Sequence, residues 1–375
     1  MSTRSSPREA AEEAVRSALD GLGKPEAALL FASGAWGEAL PALLDTAVAA
    51  LGTEAVVGAS AHGVLAGGEE REVEPAVVVL AQAGLEAHPF LVPDLHGDEV
   101  AAGEEIAARL GGPGRPEDLV IVLPDPRAFR PDSLFDSLRE SLGSARVVGA
   151  GASDPVAGAP LQWCGRKLES GALAGLVLRA RRPPRIGVTQ ACRPATGLLT
   201  VTRARGHWIL ELDGRPALEV YREVARGPLA DDLRRAATFL LVALPRDDSE
   251  SLAPGSYLVR NVAGFAIKEN AFAIPQPVAV GQRIALVERE PEAAREDLKV
   301  MLAGLAGESP AFGLYFNCCA RGTSLFGVPG LEAAYLENAF GTVPIAGTFG
   351  SCEIGPIGQT TELLTYTGVL ALIDD

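Results

Sequence analysis

The sequence predicts an α/β protein made of two domains of mixed β-sheets packed with helices and built from repeated strand–helix–strand units. An apolar strand, a helix and a second apolar strand follow one another three times along the chain. The three copies are residues 27–63, 119–153 and 312–353. The strands of each copy begin about thirty residues apart, the length of one such unit. The second strand of every copy runs through a glycine to a serine, at Ser60, Ser153 and Ser351.

Internal similarity of this kind indicates duplicated α/β units. The alternative is that any α/β protein contains strand–helix–strand segments that end in glycine and serine. The serine lies four residues past the glycine in the second and third copies but two residues past it in the first. The shared order of elements nevertheless favours duplication.

The first half of the chain opens with an amphipathic helix, because apolar side chains recur on one side at helical spacing. A glycine- and glutamate-rich loop follows the first unit, and a Gly-Gly-Pro sequence ends a later helix. The elements predicted here, in order, are a helix at 8–22, the first unit, strands at 76–80 and 85–92, a helix at 98–110, the second unit, and short strands within 163–178.

A polar segment at 179–185 is the best candidate for a domain boundary, because its Pro-Pro pair cannot continue a helix or a central strand. We therefore expect an N-terminal domain at 1–182 and a C-terminal domain at 183–375. The elements predicted in the second domain are strands at 198–203 and 208–212, helices at 218–225 and 229–244, strands at 257–262, 271–274 and 283–288, a helix at 291–305, the third unit, and a last strand at 364–373.

The composition narrows the class of protein. The 375 residues are enough for about two or three domains, and the net charge of −15 argues against nucleic acid or an anionic membrane as the main partner. No apolar run approaches the ~18 residues of a membrane span, and the N-terminus lacks a signal-peptide core. We expect a cytoplasmic, bacterial protein whose five cysteines are free thiols.

Established catalytic and cofactor motifs are absent from the sequence. It contains no Walker A loop, no complete dinucleotide loop, no His-Glu-x-x-His and no Gly-x-Ser-x-Gly elbow. The four histidines lack the spacing of metal ligands. We therefore expect no cofactor, no metal site and no assignable catalytic residue.

Reactive and charged side chains follow both strands of the third unit. Cys319 and Arg321 follow the first strand, and Ser351, Cys352 and Glu353 follow the second. Ligands of open α/β sheets bind where strand ends converge. The guanidinium would bind a carboxylate or lower a thiol pKa, while the carboxylate would accept a ligand ammonium. The structural alternatives are small buried thiols, a salt bridge from Arg321 to Glu353, and a capped turn with a solvated glutamate.

Ser60 and His62 occupy the equivalent strand end of the first unit. A serine and a histidine two residues apart are weak grounds for catalysis, since no acid that orients the base can be identified. The predicted ligand-binding residues are therefore Ser60, His62, Cys319, Arg321, Ser351, Cys352 and Glu353.

The motif Phe-x-Cys-Cys-Ala-Arg-Gly at 316–322, followed by Pro-Ile-Ala-Gly-x-Phe-x-Ser-x-Glu-Ile-Gly-Pro at 344–356, resembles the C-terminal FIST domain. The segment Val-Gly-Ala-Ser-Ala-His-Gly at 57–63, with the preceding strand and helix, resembles the N-terminal FIST domain. Cys352 stands where the family usually has a glycine before the glutamate. The resemblance implies a sensory module for small ligands, for which amino acids have been proposed.

We therefore expect a stand-alone sensory or binding protein for a small, zwitterionic ligand, acting in signal transduction through a partner that the sequence does not identify. One alternative is an enzyme that uses Cys319 or Cys352 as a nucleophile on a small molecule. Another is a protein-interaction scaffold whose glycine-rich loops hold a partner.

Overall fold

The structure is a computed structural model that describes residues 1–153, 158–246, 252 and 255–374. These residues contain ten α-helices and 26 β-strands, and the strands form four sheets. The longest described helix has 14 residues, and none of the described helices is long and apolar enough to span a membrane.

The first half of the chain contains, in order, α1 (Pro7–Ala18), β1 (Ala27–Ser33), α2 (Leu40–Leu51), β2 (Val56–Ala61), β3 (Gly63–Ala66), β4 (Glu69–Glu72), β5 (Val77–Gln82), β6 (Glu86–Val92), α3 (Glu99–Leu110), β7 (Asp118–Pro124), α4 (Pro131–Ser141), β8 (Arg146–Ala150), β9 (Gln162–Cys164), β10 (Lys167–Glu169) and β11 (Leu173–Arg179).

The second half contains, in order, β12 (Arg185–Gln190), β13 (Cys192–Pro194), β14 (Leu199–Arg205), β15 (Trp208–Leu212), β16 (Arg215–Pro216), α5 (Ala217–Ala225), α6 (Gly227–Asp231), α7 (Leu233–Ala236), β17 (Leu240–Pro245), β18 (Tyr257–Arg260), β19 (Gly264–Ala266), β20 (Ala271–Ala273), β21 (Arg283–Arg289), α8 (Pro291–Gly304), β22 (Phe312–Cys318), α9 (Thr323–Phe326), α10 (Leu331–Phe340), β23 (Ile345–Gly350), β24 (Glu353–Ile357), β25 (Thr360–Leu364) and β26 (Thr367–Ile373). Short 3-10 helices cover Gly34–Ala39 and Ile267–Glu269.

Each predicted unit is a pair of parallel strands joined through one or two helices. The pairs are β1 with β2, β7 with β8, and β22 with β23. In every case an antiparallel strand flanks each side of the pair, so the three units share one local topology: β9 and β5, β24 and β11, and β3 and β26. The predicted fold class, with repeated strand–helix–strand units, is confirmed.

The recurring glycine has the same steric role in all three units. It lies on the second strand, directly opposite a residue of the first strand, and a Cβ atom there would collide with that residue's carbonyl oxygen. The distances from an ideal Cβ to the oxygen are 1.7 Å for Gly58 to Leu30, 1.8 Å for Gly149 to Val122 and 2.5 Å for Gly347 to Tyr315. The close approach of the two strands therefore requires glycine.

Three sheets share one apolar core and cover their other faces with helices. The inner faces of the sheets that contain β1, β7 and β22 pack together and join the fourth sheet in a single cluster. Their outer faces pack against α1 and α2, against α3 and α4, and against α8 and α10, respectively. Because β1, β7 and β22 are buried at every position, their sequences are continuous apolar runs.

The two halves of the chain exchange hairpins. The β3–β4 hairpin pairs with β23 in the sheet of the third unit, and the β24–β25 hairpin pairs with β8 in the sheet of the second. The polar segment between β11 and β12 links strands of different sheets. The division into 1–182 and 183–375 stays a prediction.

The helix predicted over 229–244 is wrong in its second half. Two short helices, α6 and α7, end at Ala236, and Leu240–Pro245 is strand β17, which lies between β18 and β21. A short apolar run does not distinguish a buried strand from a buried helix segment, and here pairing with neighbouring strands decides the conformation.

Candidate functional site

The serine-bearing ends of the three second strands hydrogen-bond to one another. The N–H of Ser153 donates to the carbonyl of Ser60 at 2.9 Å, and the N–H of Ser351 donates to that of Gly151 at 3.0 Å. The N–H of His62 donates to a carbonyl of β23 at 2.9 Å and closes the ring. We call this meeting point, residues 60–62, 150–153 and 349–353, the strand junction.

The serine hydroxyls reinforce this junction. The Oγ of Ser60 accepts from the N–H of Leu161 at 2.9 Å. The Oγ of Ser351 donates to the carbonyl of Ala152, and the Oγ of Ser153 donates to β23, both at 3.1 Å. Ser60 is buried, whereas Ser351 is half-buried. The lone pairs of Ser351 therefore remain the part of these hydroxyls best placed to meet a ligand.

Glu353 is completely buried behind the junction. Its Oε2 accepts from the N–H and the hydroxyl of Thr367, at 3.3 and 2.7 Å. Its Oε1 accepts from no N–H or O–H of the described residues. Burial, followed by the neighbouring Cys318 thiol, raises the pKa of Glu353 well above its usual range. The carboxyl group is therefore harder to ionise than an exposed glutamate.

Three thiols surround this carboxyl group and differ in acidity. Burial raises the pKa of Cys352 to about 12, and a hydrogen bond to Cys319 together with burial raises that of Cys318 well above its usual value. Cys319 is only half-buried, and the hydrogen bond from Cys318 lowers its pKa. The N–H of Cys319 also donates to Gly350 at 2.8 Å, which ties β22 to the junction.

Arg321 pairs with Glu332. Both side chains are fully buried, and the Nε of Arg321 lies 3.0 Å from the Oε1 of Glu332. The structural alternative, a salt bridge from Arg321, is thus present, but its partner is Glu332 and not Glu353. Helix α10 brings this carboxylate to the guanidinium, and local sequence does not reveal it. A ligand role for Arg321 stays a prediction, and it would require a ligand to compete with Glu332.

His62 lies at the edge of the junction with its ring partly exposed. Its Nε2 is 3.9 Å from the Oε2 of Glu72. The Oε1 of Glu72 accepts from the N–H and the hydroxyl of Thr323, at 2.8 and 2.7 Å. This chain of contacts fastens the first unit to the loop after β22.

Two arginines that sequence reasoning missed approach the thiols from the fourth sheet. Arg289 donates to the carbonyl of Ala320 and the hydroxyl of Ser324. Arg260 donates to Gln276 at 2.7 Å, and burial lowers its pKa to about 10. In the described parts of the chain, neither guanidinium has a carboxylate within 4.0 Å. Both arginines end apolar strands, β21 and β18, and this position in the sequence could have identified them as candidate site residues.

Tyr366 adds a strained backbone beside the same thiols. It lies in the turn between β25 and β26 with φ at 61°, a left-handed value that is unusual for a bulky residue and costs on the order of 1–3 kcal/mol. Burial raises its pKa to about 12, with a further contribution from Cys318. Such strain is concentrated at functional sites.

The arrangement combines three features. A buried carboxyl group has a raised pKa and an Oε1 without an N–H or O–H donor in the described chain. Two guanidinium groups have no carboxylate within 4.0 Å among the described residues, and one thiol has a lowered pKa. The structure brings most of the predicted ligand-binding residues together at the strand junction: Ser60, His62, Ser351, Cys352 and Glu353 belong to it, and Cys319 is hydrogen-bonded to it. Arg321 instead pairs with Glu332 on α10. No group of three metal-ligating side chains occurs within the described residues. The chemistry suits recognition of a small molecule with both acidic and basic groups.

Comparison with known proteins agrees with the resemblance noted in the sequence. The profile of the FIST N domain matches residues 26–215, and that of the FIST C domain matches residues 217–356. The chain is 32% identical over 385 residues to the uncharacterized protein Rv0628c of Mycobacterium tuberculosis, covering 100% of this chain and 98% of that protein. It is also 32% identical over 380 residues to the uncharacterized protein Mb0898c of Mycobacterium bovis, covering 98% and 96%.

Proposed function

We propose, on the premise that this chain belongs to the FIST family, that it is a cytoplasmic sensory protein whose strand junction binds a small zwitterionic ligand, with amino acids as the ligand class. FIST domains are associated with signal transduction and with small ligands. Residues 60–62 of the junction fall in the FIST N match and residues 349–353 in the FIST C match, so the ligand would bridge both domains.

The buried and unpaired Oε1 of Glu353 is the observation that carries the proposal. Buried polar atoms nearly always have hydrogen-bond partners, and this one has no N–H or O–H donor among the described residues. A ligand ammonium would supply that donor and stabilise the ionised carboxylate. Arg289, which has no carboxylate within 4.0 Å in the described chain, would take the ligand carboxylate.

A thermal-shift screen of the standard amino acids tests the proposal. A ligand present at 100 times its dissociation constant stabilises the folded state by about 2.7 kcal/mol. The variant Glu353→Gln keeps the size of the side chain but cannot ionise, so it loses the ion pair with a ligand ammonium. It should fold and lose the ligand-induced shift.

The matched control is Glu362→Gln, which alters another buried glutamate on the neighbouring strand β25 and should keep the shift. If no amino acid stabilises the wild-type protein, or if the shift persists in Glu353→Gln, the proposal is wrong.

A cysteine-dependent enzyme is the second candidate, and the lowered pKa of Cys319 favours it. Catalysis by a thiolate also requires a nearby base or cation. The lowered pKa of Cys319 comes first from the hydrogen bond with Cys318 rather than from a histidine or an arginine. Sensory binding therefore accounts for more of the site than catalysis does.

A further inference from the structure

A cavity lies at the end of the parallel strands opposite the strand junction. It has a volume of about 470 Å³ and is bounded by the end of α1, by β5, by α10 and by the starts of β22 and β23. The strand junction is at the carboxyl ends of the parallel strands, whereas this cavity is at their amino ends. We call it the edge groove; its lining includes Ala18, Asp20, Val79, Ala81, Leu336 and Glu337.

Strand β5 presents an open edge to this groove. It is the last strand of its sheet, with β1 on its one paired side. On its other side, Val77 exchanges two hydrogen bonds with Ser2, of 2.8 and 3.0 Å. Because the backbone groups of a strand alternate in direction, the N–H and C=O groups of Val79 and Ala81 face the same way as those of Val77.

The pairing with β1 confirms this direction independently. The N–H of Ser33 on β1 donates to the carbonyl of Ala76 at 3.0 Å, so Ala76, Val78 and Leu80 direct their backbone groups to β1. Within the described chain, Ser2 forms the one bridge on the outer edge of β5. The next two positions along that edge are therefore open to another strand.

The groove also has a distinct charge and shape. Asp20 and Glu337 are exposed at its rim, and its lining contains no lysine or arginine. Met1 also lines the groove, and burial lowers the pKa of its N-terminal amine. Leu336, Ile345 and Phe312 form apolar parts of its walls. An extended peptide presents side chains alternately to two sides, so basic residues could meet the rim while apolar residues face the walls.

We propose that the edge groove binds an extended segment of a partner protein, which adds to β5 as a new strand. Main-chain hydrogen bonds to Val79 and Ala81 hold the segment, and alternating apolar and basic side chains select it. Strand addition to an exposed sheet edge is a general mode of peptide recognition. The single bridge made by Ser2 already uses the first position of this edge.

Fluorescence anisotropy with a short labelled peptide of alternating lysine and valine tests the proposal on the full-length protein. Ala81→Pro removes a groove-facing N–H without removing a hydrogen bond to β1, a substitution that edge strands tolerate. It should weaken binding about tenfold, whereas Ala81→Ser, which keeps the N–H, should bind as the wild type does. Thermal melting establishes that both variants are folded.

The combined variant Asp20→Lys and Glu337→Lys tests the charge without touching the strand. Both side chains are exposed, so the fold should persist, and the preference should switch to a peptide of alternating glutamate and valine. The proposal fails if the lysine–valine peptide shows no saturable binding below about 1 mM. It also fails if folded Ala81→Pro binds like the wild type, or if charge reversal leaves the preference unchanged.

Discussion

Arg321 and Glu332 form an ion pair in which both side chains are completely buried. Glu332 belongs to the first turn of α10, and its carboxylate also accepts from the hydroxyl of Tyr315 at 3.0 Å and from the amide of Asn317. The side chains of β22 and the loop after it are thus fastened to α10. The pair holds the loop that carries Cys319 beside the strand junction.

Removing the cation should destabilise the whole protein. Arg321→Ala leaves Glu332 buried without its partner, and breaking a buried pair in this way costs about 3–5 kcal/mol. The free energy of unfolding, measured by urea denaturation, should fall by that amount. Replacing both residues, as Arg321→Met with Glu332→Met, should cost less than Arg321→Ala alone.

An exposed pair is the matched control. Arg8 lies 2.8 Å from Glu12 on the surface of α1, and exposed pairs contribute about 0–1 kcal/mol. Arg8→Ala should therefore change stability little. A loss of stability in Arg321→Ala no larger than in Arg8→Ala would contradict a structural role for the buried pair.

Glu70 should make stability depend on pH near neutrality. Its carboxylate accepts from the N–H groups of Gly330 and Ala333, at 2.9 and 2.8 Å, while burial and then repulsion from Glu332 raise its pKa to about 7. The folded state therefore binds this proton more tightly than the unfolded state. The free energy of unfolding should fall as pH rises from about 4.5 to about 7, by roughly 3 kcal/mol, and then level off.

The difference between wild type and Glu70→Gln isolates this effect, because Glu353 titrates in both proteins. Urea denaturation at pH values on either side of the window should show a smaller loss of stability in Glu70→Gln. Glu69→Gln, at an exposed neighbouring position, should keep the wild-type dependence. An identical pH profile for Glu70→Gln and wild type would show that Glu70 does not titrate in this range.

Adding a single methyl group at one of the recurring glycines should strongly reduce the stability of the protein. In Gly149→Ala the added Cβ would lie 1.8 Å from the carbonyl oxygen of Val122, so β7 and β8 would have to separate. We expect a loss of stability above about 3 kcal/mol, beyond the usual cost of overpacking. Gly23→Ala is the control, since a Cβ there meets no atom within 4 Å. A cost below about 1 kcal/mol for Gly149→Ala would contradict the steric argument.

These glycines also explain why the units could be predicted from sequence. Each parallel pair needs an apolar first strand, a helix and a glycine at one position of the second strand. All three features lie within one short stretch of sequence, so they can be recognised there. The exchange of β3–β4 and β24–β25 between sheets was not predicted, because those pairings join segments far apart in the chain. Local patterns do not encode which strand a hairpin will choose.

The sequence also predicted part of the candidate site, namely the residues at the strand ends, but not the residues that distant elements bring to it. The strand-end rule placed Ser60, Ser351 and Glu353 at one junction, because the ends of parallel strands face the same way. It also predicted Arg321 beside Ser351 and Glu353, whereas helix α10 pairs this guanidinium with Glu332. It also missed Arg289 and Arg260, since they come from a sheet that the repeat pattern does not include.

The thiols should differ sharply in their reactivity toward alkylating reagents. Cys319 is half-buried with a lowered pKa, while Cys318, Cys352 and Cys192 are buried with raised pKa values. Iodoacetamide at neutral pH should therefore modify Cys319 first, as mass spectrometry of digested protein would show. Equal labelling of Cys352 and Cys319 in the folded protein would contradict this assignment, and Cys319 reacting many-fold faster than a free thiol would favour the enzyme.

The raised pKa of Glu353 implies that ligand binding is coupled to the release of a proton. Burial raises the pKa of this carboxyl group well above its usual range in the free protein, and a ligand ammonium beside Oε1 would favour the ionised form. Binding should therefore release a proton to the solvent, and affinity should rise with pH by up to about tenfold per unit below the free-state pKa. Titration calorimetry in two buffers with different ionisation enthalpies would measure the released proton. In Glu353→Gln the heats should not depend on the buffer, and binding to wild type without proton release would exclude Glu353 as the ammonium acceptor.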